Sequence, residues 1–217
     1  RISLSHNRSD SGNAGICGGY DTGEDHLVNT GNLTITHAGT FGLELYDGDD
    51  TVTNYGTLNI GTVDSGVAID MGLGDDTLQL GGSLSIIDDL DGNAGTDVLD
   101  LWGSNTLDGD INNFEELSKI GSGTVTLNGA VTATTLTDVE GGAIFFNGTL
   151  ASTTVTVFTG ATLGGSGNIT GDVTNNGTVA PGADGVGTLT ITGDFVNNVG
   201  ATLAMQAEGA ITDLLNV

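Results

Sequence analysis

A chain of 217 residues with 28 acidic side chains, three basic ones and a formal net charge of −25 has almost nothing with which to neutralise phosphates. Nucleic acid and anionic membrane surfaces are therefore excluded as partners. Its 38 glycines, single proline and 37% hydrophobic content describe an ordered, turn-rich β protein, neither helical nor disordered.

Residues 1–28 are the least regular stretch and read as an irregular or truncated N-terminal edge. His6 and His26 fall here, the second near Asp21, Glu24 and Asp25, in a spacing that matches no zinc pattern. A solvated loop is the expectation. Cys17 is the only cysteine, which excludes an internal disulfide and leaves a small buried or incidental thiol. The chain opens on Arg1 without a leader and stops at Val217 after the apolar phrase ITDLLNV, so a piece of a longer protein is expected.

Residues 29–130 repeat. NTGNLTI (29–35), NYGTLNI (54–60) and LGGSLSI (80–86) are near-copies, with Leu33, Leu58 and Leu84 spaced by 25 and 26 residues. Between them lie GLELYDGDDTVTN (42–54) and GVAIDMGLGDDTLQL (66–80), which carry Asp50 and Asp76, 26 residues apart. A unit of that length cannot bury its own apolar face, so it implies a solenoid of stacked coils. Alternation predicts that Leu33 and Ile35, Leu58 and Ile60, and Leu84 and Ile86 point inward as continuous ladders. Asn29 and Asn54, each two residues before a glycine, mark turns that can stack as an asparagine ladder. A third acidic turn, DDLDGNAGTDVLD (88–100), carries Asp97. Trp102 falls where the preceding coil has Gly81 or Gly82, and either caps the cross-section or lies exposed. Residues 112–119, NNFEELSK, have the only helical character and are predicted to form a short turn interrupting the solenoid. From about Ala130 the acidic turns vanish, the coils shorten and shorter strands are expected toward the C-terminus. Pro181 marks a turn.

The acidic turns carry the chemistry worth testing. LYDGDDTVT, MGLGDDTLQ and GNAGTDVLD each fit part of the calcium nonapeptide G-G-x-G-x-D-x-U-x, through the pairs Asp50/Val52, Asp76/Leu78 and Asp97/Leu99. Leu45 and Tyr46, Met71 and Gly72, and Gly92 and Asn93 stand at the leading glycines. The copies are 26 and 21 residues apart instead of in tandem. Asp50, Asp76 and Asp97 are thus candidate calcium ligands if coils stack them, against the plainer role of Asx-stabilised turns. No other cofactor is implied. For an enzyme, Asp49/Asp50 and Asp75/Asp76 could supply carboxylates, but neighbours on a strand face opposite ways and no cation lies near them. Ser166 in GGSGN lacks the nucleophile-elbow glycine. Tyr55 and Phe145–Phe146 read as core or stacking residues in preference to a sugar platform. The expectation is a non-catalytic protein, with a polysaccharide-cleaving β-helix the third reading after a calcium-binding secreted β-roll.

Gly160–Gly182 (GATLGGSGNITGDVTNNGTVAPG) and Gly187–Val217 (GTLTITGDFVNNVGATLAMQ through TDLLNV) resemble the C-terminal part of autotransporter passenger domains, and the acidic-turn region 42–101 is similar to such passengers too. The resemblance spans roughly residues 29–217. It implies an all-β, right-handed parallel β-helix of coils of about 20–26 residues, in which 29–130 are regular coils and 131–217 the passenger segment associated with folding after export. It also implies a stalk of adhesive or host-interacting role on, or released from, a Gram-negative surface. The partners implied are an outer-membrane β-barrel of the same polypeptide and a host surface or matrix ligand.

Overall fold

The computed structural model describes residues 2–5, 14–18, 22–35, 41–182 and 185–217. His6 and Asp21 lie outside them. Among the described residues every regular element is a β-strand, and the chain is a parallel β-solenoid. Each coil has three faces. One face stacks Ala14–Cys17, Phe41–Glu44, Val67–Asp70 and Asp89–Asp91. The next stacks His26–Asn29, Thr51–Asn54, Thr77–Leu80 and Val98–Leu101. The third stacks Asn32–Ile35, Thr57–Ile60 and Ser83–Ile86. At the amino end Ile2–Ser5 pairs antiparallel with His26–Asn29.

Four-residue strands form because each coil alternates two inward apolar residues with outward polar ones, and turns of Gly, Asn and Asp close the corners. The predicted ladders are inward: Leu33, Ile35, Leu58, Ile60 and Ile86 are buried, and Leu84 is partly buried against the same core. That core is one continuous cluster from Leu27 to Ile191. The asparagine ladder is also present. Asn29 Nδ2 donates to Asn54 Oδ1 at 2.7 Å and to the Thr57 carbonyl, while Asn54 Nδ2 reaches the Gly81 carbonyl at 2.6 Å. The backbone N–H of Gly31 donates to Asn29 Oδ1, so the Asn-x-Gly spacing closes the turn and joins the coils at once. Asn175, Gly177 and Asn197 repeat the device near the carboxyl end. Asn54→Ala removes the acceptor of one Asn29 amide hydrogen and the donor to the Gly81 carbonyl, so its urea midpoint should correspond to a loss of about 1–3 kcal/mol; an unchanged midpoint would contradict the ladder's role.

One expectation is corrected, and another holds only at the carboxyl end. Residues 112–119 do not interrupt the solenoid: they lie in Ile111–Lys119, a nine-residue strand pairing with both Val98–Leu101 and Val131–Val139. Inward Leu117 is in register with Leu99 and Thr137, and that stacking outweighs the local helix preference of NFEEL. The coils do shorten, from separations of 25 and 26 residues to 21 and then 18–20. The strands first lengthen through Ile111–Lys119, Val131–Val139, Thr149–Val157 and Asn168–Asn175, and shorten as expected only from Thr188–Thr192 onward, to Phe195–Asn197 and Thr202–Leu203. Loss of the acidic turn fuses two faces into one strand with a register shift at its middle.

Candidate functional site

The acidic turns join the first face to the second over residues 44–51, 70–77 and 91–98. Tyr46 (φ 70°), Gly72 (φ 96°), Asn93 (φ 63°) and Asn113 (φ 58°) all have left-handed backbone conformations at this corner. A Cβ on Gly72 would collide with the Tyr46 carbonyl of the coil before, which is why glycine stands there. Bridges Asp47↔Leu73 and Leu73↔Ala94 keep the corner in register.

The Asp-Asp pairs clamp in both directions. Asp25, Asp50 and Asp76 donate their backbone N–H to Oδ1 of Asp50, Asp76 and Asp97 at 2.6, 2.7 and 2.8 Å. Asp97 donates to Glu115 Oε2, which ends the column. The other member of each pair works the opposite way: Asp75 N–H donates to Asp49 Oδ1, and Thr96 N–H to Asp75 Oδ1. One aspartate of each dipeptide therefore binds the coil before it and the other the coil after. A third row, Glu44, Asp70 and Asp91, accepts from the corner residues: Tyr46 Oη to Glu44, Asn93 Nδ2 to Asp70, Asn113 Nδ2 to Asp91.

The sequence candidates Asp50, Asp76 and Asp97 are thus stacked coil on coil, and they are 1, 1 and 0% exposed. Their Oδ2 atoms are buried without a hydrogen-bond partner among the described residues. Burial pushes their carboxyls up to about 6, 7 and 6, against the lowering effect of the accepted N–H bonds and with neighbouring carboxylates adding to the rise. Asp70 is raised to about 6, first by burial and then by Asp91 and Glu44. Such a column can take up protons or cations. Among the described residues no three His, Cys, Asp or Glu side chains converge on a single point, so an ion would have to sit between successive coils. His26 stands 3.6 Å from Glu24 at the column's start.

Sequence reasoning did not pair two aromatics at the corner between the second and third faces. Tyr55, expected in the core or in a stack, is in the second: it is 61% exposed, and its ring is tilted at 47° against Trp102 with centroids 5.7 Å apart. Trp102 does not cap the cross-section; half-buried, it lies over Gly81, where any Cβ would strike the indole. Phe146 is core, as expected. The signal was available, since Tyr55, Gly81 and Trp102 follow the register pairs Asn54↔Leu80 and Leu80↔Leu101.

These features define a parallel β-solenoid whose amino-terminal half is edged by stacked acidic turns. Neither protein families, nor curated proteins, nor solved structures yield a match to the chain.

Proposed function

We propose that the chain is part of the non-catalytic, β-helical stalk of a bacterial autotransporter passenger, displayed outside the outer membrane as a scaffold for adhesion or host contact. The observation that supports this reading best is the uninterrupted stack. On the first face the strands continue in parallel through Ile111–Asn112, Val131–Thr132, Leu150–Ala151, Asn168–Thr170, Thr188–Thr192 and Leu214–Asn216. Each coil offers the next a ready main-chain edge and an apolar face, so folding can advance coil by coil as a chain emerges, and stacking opposes its slipping back. Sequencing the gene past Val217 tests this. Strands of roughly ten residues with alternating apolar and polar positions and aromatic girdles are expected. A stop codon soon after Val217 overturns the reading.

The buried, unpartnered Oδ2 atoms of Asp50, Asp76 and Asp97 favour a second reading, a calcium-stabilised solenoid. It requires that added calcium raise the melting temperature near pH 8, where these carboxyls are ionised.

A further inference from the structure

The third face is not one continuous sheet. Ser83–Ile86 ends a three-stranded sheet and Asn105–Leu107 begins a six-stranded one, and the two strands share no ladder although they are neighbours in the stack. The cause is one residue. The inward row that runs Leu33, Leu58, Leu84 resumes as Val125, Ile144, Leu163 and Val179, and between them stands Asn105. Its Oδ1 accepts the Leu84 N–H at 3.0 Å and its Nδ2 donates to the Trp102 carbonyl at 3.2 Å. The amide thus replaces a ladder bond and holds the seam open.

Along the seam runs an open groove of about 490 Å³, lined by Leu84 and by Ser83, Ser104, Asn105, Thr106, Thr124 and Thr126. Every polar group on that wall is neutral, on a chain of net charge −25. Ser104 Oγ accepts the Thr124 N–H, while the hydroxyls of Ser83, Thr106, Thr124 and Thr126 make no hydrogen bond within the described chain. Register pairs Ser104 with Thr124 by position and Thr106 with Thr126 directly, so the hydroxyls form rows along the solenoid axis, repeating at about 4.8 Å. The aromatic pair stands outside the groove lining, at the corner that leads into this face: Trp102 precedes the groove residue Ser104 by two positions, and its carbonyl accepts from Asn105.

We propose that this groove, with Tyr55 and Trp102, binds a neutral polysaccharide chain. Hydroxyls that both donate and accept, set in rows near the exposed Tyr55 and the half-buried Trp102, match a ligand with hydroxyl edges and apolar C–H faces. The surrounding negative field disfavours acidic glycans. A peptide strand is the poorer occupant, because the Leu84 N–H at the seam is already capped by Asn105. The proposal rests on the displayed-stalk reading for its biological setting and supplies that stalk with a ligand class.

Trp102 is the single tryptophan, so its emission reports directly on the site. The purified chain is titrated with cellohexaose, maltohexaose, xylohexaose and chitohexaose, and with hexagalacturonate as the charged counterpart. At least one neutral hexasaccharide should give a saturating change in emission, and hexagalacturonate none. Tyr55→Ala and Thr124→Val should each weaken binding by about tenfold or more with the circular dichroism spectrum unchanged. Thr124→Val keeps the side-chain shape, so it separates lost hydroxyl contacts from lost folding. No response to any neutral sugar at millimolar concentration overturns the proposal, as does equal binding by both variants or capture of extended peptides in their place. A negative titration leaves the export reading untouched, and a stop codon after Val217 leaves the groove untouched.

Discussion

Ile60→Glu is expected to unfold the coils around it, at a cost of about 4 kcal/mol or more. Ile60 is 0% exposed, lies in register between Ile35 and Ile86, and packs so closely on Gly42 that a Cβ there would meet its Cγ2 at 2.5 Å. Lys119, the one lysine or arginine among the described residues, lies in a different row of the solenoid, in register with Leu101 and Val139, and the new carboxylate cannot swing to solvent without breaking the ladder. Domains have total stabilities of only about 5–15 kcal/mol, so such a change consumes a large part of the margin. A solenoid has mostly nearest-neighbour interactions. Amide hydrogen exchange should therefore accelerate first at 33–35 and 84–86, and least in the distant strand Ala143–Phe146. Asn59→Glu, one position away on the outward side, should alter the urea midpoint by less than about 0.5 kcal/mol. Equal effects at the two positions would mean that the inward face has been misassigned.

That contrast shows what was readable in the residues. Leu33, Leu58 and Leu84 repeat with apolar alternation, and position alone places them inward; Asn29 and Asn54 repeat before glycines and do form the ladder. The Asp50, Asp76 and Asp97 spacing likewise foretold a column. What could not be read were positions where stacking overrides local character. Glu115 and Glu116 suggested a helix, yet their strand is held by neighbours on both sides. Lys119 stands in register with Leu101 and Val139 and is 0% exposed. Its ammonium donates to the carbonyls of Ile120, Gly121 and Gly141 at 2.9, 3.2 and 3.0 Å, and burial lowers its pKa. No periodicity rule expects a lysine in an inward row. Asn105 is the same kind of exception, and it opens the groove. The direction of each aspartate's hydrogen bond was equally hidden, because it depends on which coil each oxygen meets.

The acidic column should make this protein more stable at pH 5 than at pH 8. Asp50, Asp76 and Asp97 ordinarily titrate at 3.8, and in the folded chain at about 6, 7 and 6. A carboxyl whose pKa is raised by folding keeps a proton that the unfolded chain releases. Its stabilising contribution is therefore complete below about pH 4 and disappears as pH rises through 6 to 7. The shifts correspond to roughly 3 kcal/mol for Asp50 and Asp97 and roughly 4 kcal/mol for Asp76, and coupling along the column makes the total smaller than the sum. The groups that interact with the three are Asp25, His26, Asp49, Asp75, Asp91 and Glu115, nearly all acidic, so no ion pair offsets the charge at pH 8. A rise in melting temperature on the order of 10 °C between pH 8 and pH 5 is expected from a few kcal/mol. Asp76→Asn keeps an oxygen for the Asp50 N–H and removes the ionisation, so it should melt higher at pH 8 and flatten the profile between pH 6 and 7. A melting temperature that falls on acidification, or an Asp76→Asn profile identical to the parent's, would show that the column is neutralised in some other way. Calcium separates the remaining possibilities. If millimolar calcium at pH 8 reproduces the gain from acidification and Asp76→Asn abolishes that response, the Oδ2 atoms take cations as well as protons. If calcium changes nothing, protons alone neutralise the column, and the solenoid's amino-terminal half loosens as its surroundings become alkaline.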